Sequence, residues 1–280
     1  MNDTMREYCS YGKLILPILQ YRRTIVPHVC RWGEHKDQYF LYFEAPQKKE
    51  NKLVVYINGG GWRSYSPREH DFVGQTIAAQ GYDCVMLGYR KAPKFHYEQI
   101  RDDVFAGYVK MRSVLKEHGH TYDKTVAMGS SAGGHLAAVL CFDEETKEKF
   151  GIAKDEFAGL LSMAGPMSFE REHVRTVDHL VRDLFGSSDH EDWKKGEPIL
   201  MISNIPGFKV RMVQSKHDGL VGYEQACDFY EKALSLGMDA KFYEVTDPWN
   251  THSAYCVGVF LLSPEKSNTL RTALEMIAEI

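Results

Sequence analysis

Ser131 stands at the centre of Gly129-Ser130-Ser131-Ala132-Gly133, a G-x-S-x-G pentapeptide that joins an apolar run to a helix-compatible segment. A serine forced onto a sharp strand-to-helix turn projects its hydroxyl from the sheet, and glycines two positions away on either side let strand and helix approach closely. Such a hydroxyl is a candidate nucleophile for acyl transfer. Centring the motif on Ser130 would put Met128 where the first glycine belongs, so Ser130 reads as a turn residue.

An acyl-transfer serine needs a base to take its proton, an acid to orient that base, and donors for the oxyanion. The run 209–214 leads into Ser215-Lys216-His217-Asp218-Gly219, a strand end followed by an acidic residue. The run 241–245 leads into Thr246-Asp247-Pro248-Trp249-Asn250-Thr251-His252, a strand followed by a loop that presents a histidine. The expected set is therefore Ser131, Asp218 and His252. His217 competes as the base but precedes the candidate acid instead of following it on a later loop, and Asp247 competes as the acid but follows the other strand. Upstream, 53–57 ends in Asn58-Gly59-Gly60-Gly61-Trp62. Three consecutive glycines can turn backbone amides toward a ligand with no Cβ in the way, as an oxyanion hole requires, and the same run also reads as a flexible turn.

These residues need a scaffold. From residue 50 onward, short β-branched and aromatic runs alternate with longer helical patterns, which predicts an α/β fold with a mostly parallel central sheet and helices on both faces. Strands are expected at 39–43, 53–57, 83–87, 125–128, 159–163, 209–214 and 241–245, the first antiparallel at an edge because the connection to the next is too short for a crossover helix. Helices are expected at 70–80, 97–118, 133–141, 223–236 and 264–280. In the last, Leu270, Leu274 and Ile277 recur at helical spacing and should face the core. The chain is expected to be a single domain over 1–280. Its one long interruption, 166–206, reads either as a crossover helix with its loop or as a small cap over a cleft.

Composition narrows the function classes. With 280 residues and 44% hydrophobic content the chain can bury a large core. Its 34 basic and 38 acidic residues are interspersed, so no polyanion-binding face and no nucleic-acid partner is expected. Six scattered cysteines without a C-x-x-C pair fit free thiols of a reducing compartment. The first apolar stretch, 14–19, is short and interrupted by Pro17, so neither a signal peptide nor a membrane span is expected and the cytoplasm is the expected address. His and Cys spacings match no zinc pattern and no P-loop is present, so neither metal nor cofactor is expected.

At this level the chain resembles the acetylesterase-like and hormone-sensitive-lipase-like serine carboxylesterases of the α/β-hydrolase superfamily. Asn58–Trp62 is similar to their HGGG signature, Gly129–Gly133 to the nucleophile elbow, and Gly88-Tyr89-Arg90-Lys91-Ala92-Pro93 to their G-Y-R-x-A-P segment, and the order Ser131, Asp218, His252 is that of the superfamily's triad. The resemblance implies an α/β-hydrolase fold, a triad of Ser131, Asp218 and His252, and an oxyanion hole of Gly60, Gly61 and the Ala132 amide. Asn58 stands where the signature has histidine, a residue that braces the loop, and its side-chain donor and acceptor suit the same task. Trp62 and the Gly-Gly-His-Leu-Ala run after the nucleophile also resemble kynurenine formamidases. His135 in that run is read as a packed, hydrogen-bonded residue.

The expected activity is hydrolysis of small carboxylic esters, short acyl or acetylated sugar, through an acyl-enzyme. An arylformamidase is the first alternative, with Trp62, Tyr65 and Trp249 as an aromatic wall; a peptidase and a hydrolase-fold ligand-binding protein without turnover are the others. The expected partners are a small-molecule ester and, at most, a second copy of the chain in a homodimer.

Overall fold

The computed structural model describes residues 2–169 and 175–280. Its strands are β1 (His28–Arg31), β2 (Tyr39–Phe43), β3 (Lys52–Ile57), β4 (Asp83–Leu87), β5 (Lys124–Ser130), β6 (Gly159–Met163), β7 (Lys209–Gln214) and β8 (Asp239–Glu244). They form one sheet in the order β1-β2-β4-β3-β5-β6-β7-β8. The pairings β1–β2 and β2–β4 are antiparallel and the remainder are parallel. The helices are α1 (Asp3–Gln20), α2 (Asp71–Ala79), α3 (Tyr97–Glu117), α4 (Ala132–Phe142), α5 (Glu144–Lys149), α6 (Arg175–Phe185), α7 (His190–Lys194), α8 (Pro198–Met201), α9 (Tyr223–Ser235), α10 (His252–Cys256) and α11 (Asn268–Glu279), with 3₁₀ turns at Gly258–Leu261 and Pro264–Lys266.

Strand alternation divides the core. Every residue of β3 is buried, and its successive side chains serve opposite faces: Leu53, Val55 and Ile57 join Phe105, Leu136 and Phe229 of α3, α4 and α9, whereas Val54 and Tyr56 join Ile77 and Ile277 of α2 and α11. A strand covered on both sides has no polar face to show water, which is why its sequence reads as a continuous apolar run. The α/β-hydrolase class is therefore realised, with the parallel strands delivering their carboxyl ends, and the loops that follow them, to one edge.

Several boundaries differ from expectation for local reasons. The predicted helix 264–280 begins only at Asn268, because the Ser267 hydroxyl caps the Leu270 amide and Asp247 accepts from the Thr269 amide and the Ser267 hydroxyl. Asp247, 8% exposed, is committed to that cap, and it is Asp218 that meets the His252 ring. The 166–206 interruption holds α6, α7 and α8 between β6 and β7, with Leu180 of α6 against Gly61. Not anticipated from sequence are the short helices α5 and α10, the four-residue edge strand β1, and α1, which runs through Gly12 and Pro17 with Asn2 accepting from the Met5 amide as its N-cap. Pro17 has no N–H to give the Lys13 oxygen, so α1 forgoes one bond in its last turn and ends three residues later.

Candidate active site

Four loops at the carboxyl edge converge. Ser131 follows β5 at φ 53 and ψ −128, a conformation that an L-residue holds only when its surroundings impose it. The imposition is visible at the flanking glycines. A Cβ on Gly129 would lie 2.1 Å from the Gly133 oxygen, and one on Gly133 would lie 2.0 Å from the Ile57 oxygen, so strand, helix and neighbouring strand meet backbone to backbone. The Ser131 amide donates to the Met163 oxygen at 2.8 Å, and the wholly buried helix α4 starts on its far side. Ser130 is buried and points the other way: its hydroxyl donates to the Cys256 oxygen at 2.5 Å and accepts from the Tyr56 hydroxyl at 3.0 Å.

The hydroxyl of Ser131 lies 2.8 Å from His252 Nε2, and His252 Nδ1 lies 2.8 Å from Asp218 Oδ2. Asp218 is fully buried and saturated with donors. Its Oδ1 accepts from the amides of Leu220 and Val221, and its Oδ2 accepts from the Tyr255 hydroxyl at 2.6 Å and from Gln214 Nε2 at 3.3 Å as well as facing His252. A carboxylate held by so many donors is fixed in orientation. Tyr255 and Gln214 carry no motif of their own; only the fold reveals that they orient the acid. His217 lies at the surface, half exposed, beside Asp3.

Three buried histidines show how surroundings set protonation. Burial pushes His135 down to about 4 although it donates to the Gly196 oxygen, and burial pushes His70 down to about 4. Burial pulls His252 down as well, but Asp218, by charge and by hydrogen bond, with Glu7 behind, more than reverses that and raises it above its ordinary value. A histidine acts as base only when neutral, so kcat/KM should rise with pH through a midpoint above about 6.5, the ordinary histidine value. Initial rates across pH 5 to 9 test this, and a flat profile over about that range would remove His252 from the role.

The glycine loop follows β3. Gly60 and Gly61 take φ values of 115 and 58, which glycine enters without strain, and Trp62 follows at φ 58, where an L-residue is held only by its surroundings. Among the described residues, the amides of Gly60, Gly61 and Ala132 donate to no backbone oxygen. Asn58 braces the loop from inside, Nδ2 donating to the oxygens of Gly59 and Tyr65, while the Tyr89 hydroxyl donates to the Asn58 oxygen and the Ala92 amide to the Trp62 oxygen. The Gly88–Pro93 segment thus supports the loop from below.

Above these residues opens a cavity of about 840 Å³. Ser131, His252 and the glycine loop lie on its floor, and Tyr11, Leu14, Ile15 and Ile18 of α1, Phe72 and Leu180 of α6 are among its walls. Arg23 and Asp71 pair at its edge. Trp62 contributes to the lining but its ring is buried, Nε1 donating to His135 Nδ1 at 3.2 Å. His135 is accordingly a packed, hydrogen-bonded residue. Trp249, expected on the substrate wall, is not among the described lining residues: it turns inward against Gly258 and the core beneath α2 and α11. Among the described residues, no group of three or more His, Cys, Asp or Glu side chains has the spacing to hold a metal ion, and no helix is long and apolar enough to cross a membrane.

Residues 40–233 match the family model BD-FAE. The chain belongs to the BD-FAE family. Among relatives, this BD-FAE member is 38% identical over 117 residues to neutral cholesterol ester hydrolase 1 of Bos taurus, covering 38% of the chain and 29% of that protein. It is 30% identical over 122 residues to kynurenine formamidase of Danio rerio, covering 44% of the chain and 39% of that protein. The matches therefore span well under half the length of these two relatives. Its fold is similar to that of esterase B from Lactobacillus rhamnosis, with a TM-score of 0.80, 17% identity, and coverage of 99% of this chain and 92% of that one.

Proposed function

We propose that this BD-FAE protein is a serine hydrolase that cleaves small carboxylic esters through an acyl-enzyme. The observation that carries the reading is the unbroken chain Asp218–His252–Ser131, two 2.8 Å links on the floor of a cavity. In that reading His252 Nε2 takes the Ser131 proton as Oγ attacks the ester carbonyl, and the amides of Gly60, Gly61 and Ala132 receive the oxyanion, Ala132 adding the amino end of α4. The imidazolium returns its proton to the leaving alkoxide. Water, deprotonated by His252, then releases the acid and restores the serine. Part of the 166–206 segment lies outside the described residues; of the rest, Pro166, Val177 and Leu180 line the cavity, and the six free thiols support a cytoplasmic address.

The apolar walls favour an ester with a hydrophobic group over an acetylated sugar, whose hydroxyls would be stripped of water against Leu14, Ile15 and Leu180. The rings of Tyr8, Tyr11, Tyr65 and Phe72 on the same cavity, with the kinship to a kynurenine formamidase, support the second reading, an arylformamidase. Parallel kcat/KM measurements on p-nitrophenyl acetate, butyrate and hexanoate, on an acetylated xyloside and on N-formylkynurenine decide between them. The butyrate or hexanoate ester is expected to lead. A lead of about tenfold or more for N-formylkynurenine, roughly 1.4 kcal/mol in transition-state binding, would replace the ester reading with the formamide one. Failure of a fluorophosphonate to label Ser131 would refute both.

A further inference from the structure

We propose that Glu7 is a positioning residue for the catalytic base: α1 carries a buried carboxyl group that holds the His252 turn in place from behind. The inference rests on the reading of Ser131, His252 and Asp218 as the reacting set.

The buried seam of α1 consists of Glu7, Ser10 and Leu14, at i, i+3 and i+7, so the helix seats a carboxyl group where an amphipathic helix ordinarily seats an apolar side chain. Glu7 is 0% exposed. Burial of such a group is unfavourable unless it is hydrogen-bonded, and its use here is specific. Oε1 accepts from the Ser253 amide at 3.0 Å, the residue next to His252, across 246 positions of chain. The amides of a helix's first turn lack partners within the helix, and Thr251, which should cap α10, makes no side-chain cap bond. Glu7 supplies that cap from another element. Oε2 has no hydrogen-bond partner among the described residues.

The rest of α1's first turns fasten to both loops that bring the base and its acid together. Arg6 donates to Asn250 Oδ1 at 3.3 Å on the histidine loop. Thr4 Oγ1 donates to the Gly219 oxygen at 3.4 Å on the acid loop, where a Cβ on Gly219 would lie 2.6 Å from the Asp3 oxygen. Asp218 and His252 are thus spanned by one helix whose central contact is Glu7.

The groups around His252 come from several elements. Asp218 on the β7 loop faces Nδ1, Ser131 faces Nε2, and Tyr255 on the same short helix packs edge-on at 6.4 Å between ring centroids. Cys256 follows on α10, its thiol pushed well up by burial, and Tyr11 on α1 is raised chiefly by burial. Asp3 pairs with Arg6 and His217 at the rim. Of these, Asp218 and Glu7 raise the imidazole by their charge.

Two substitutions separate holding from charge. E7Q keeps an oxygen for the Ser253 amide and drops the charge; E7A drops both. With a p-nitrophenyl ester that the wild type turns over, E7A should lose about tenfold or more in kcat with KM changed less than about threefold, since a misplaced base costs the chemical step rather than binding. E7Q should recover most of that loss while the acidic limb of kcat/KM moves to lower pH by at least about 0.3 unit, the direction expected when a like-sign neighbour of Asp218 is neutralised. Circular dichroism melts report whether each variant folds, and E7Q decides the question by its limb if E7A does not. Profiles and kcat of both variants within about twofold of wild type, or equal losses with the limb unmoved, overturn the proposal. Ser131→Ala run alongside keeps the two readings apart: an active S131A refutes the reacting set itself, whereas an inactive S131A with wild-type-like Glu7 variants refutes only the role of Glu7.

Discussion

Ser131→Ala is expected to reduce ester turnover by at least about 10⁴-fold, the scale of nucleophile deletion in another serine hydrolase. The substitution removes one atom and its two links, the covalent bond to the acyl group and the 2.8 Å contact to His252 Nε2. It leaves the turn intact. Alanine meets the same backbone at φ 53 that serine already occupies, with the Ser131 amide still directed to the Met163 oxygen, so the strain belongs to the position and not to the hydroxyl. The melting temperature should therefore stay near that of the wild type while the rate collapses to what the oxyanion donors and substrate binding alone provide, still above the reaction in water. The check is kcat on p-nitrophenyl butyrate with active-site titration to exclude wild-type contamination. A variant with more than about a hundredth of wild-type activity would show that another group attacks the carbonyl.

Asp218→Asn should be nearly as damaging, about 10⁴-fold in kcat, by a different route. Oδ1 is committed to the amides of Leu220 and Val221, which can only donate, so the asparagine must keep its oxygen there. Its NH₂ then faces His252 Nδ1 and the Tyr255 hydroxyl. The imidazole has to accept on Nδ1 and carry its proton on Nε2, the nitrogen that faces Ser131, and a protonated Nε2 cannot take the serine proton. The lost charge also removes a principal support of the raised imidazole, so the surviving acidic limb should move to lower pH. Nitrogen-15 spectra of the His252 ring read the tautomer directly. A loss of less than about tenfold, with Nδ1 still protonated, would mean that Asp218 does not set the tautomer.

The reach of sequence reading here follows the range of the interactions. Strands β2, β4, β6 and β7 fall where their β-branched and apolar runs predict, because two-sided burial writes itself into every residue. β8 is displaced by two residues at its start, since at the sheet's edge its side chains are only partly covered and the pattern is weaker. β1 has a mostly exposed pattern with no alternation to detect, and α1 is obscured by a glycine and a proline that ordinarily end helices. The convergence of Ser131, Asp218 and His252 was legible because each follows a strand with its own local signal. Tyr255 and Glu7 were not, since what defines them is a partner 37 or 246 residues away. Trp249 was misplaced for the complementary reason: nearness to His252 in the chain does not fix which way a loop side chain turns, and this one turns toward Gly258. Asn58 shows a substitution that preserves a task, its amide tying Gly59 and Tyr65 where the motif has an imidazole.

Ser130 bears on how the two loops are held together. Its bond to the Cys256 oxygen joins the chain one residue before Ser131 to the chain four residues after His252, on the interior side of both. The separation of Ser131 and His252 is thereby held from within the sheet, away from the cavity mouth. A substitution at Phe72 of α2, which lines the cavity, leaves that bond in place. The neighbouring serines thus carry separate contacts, Ser131 facing His252 and Ser130 tying the two loops from beneath.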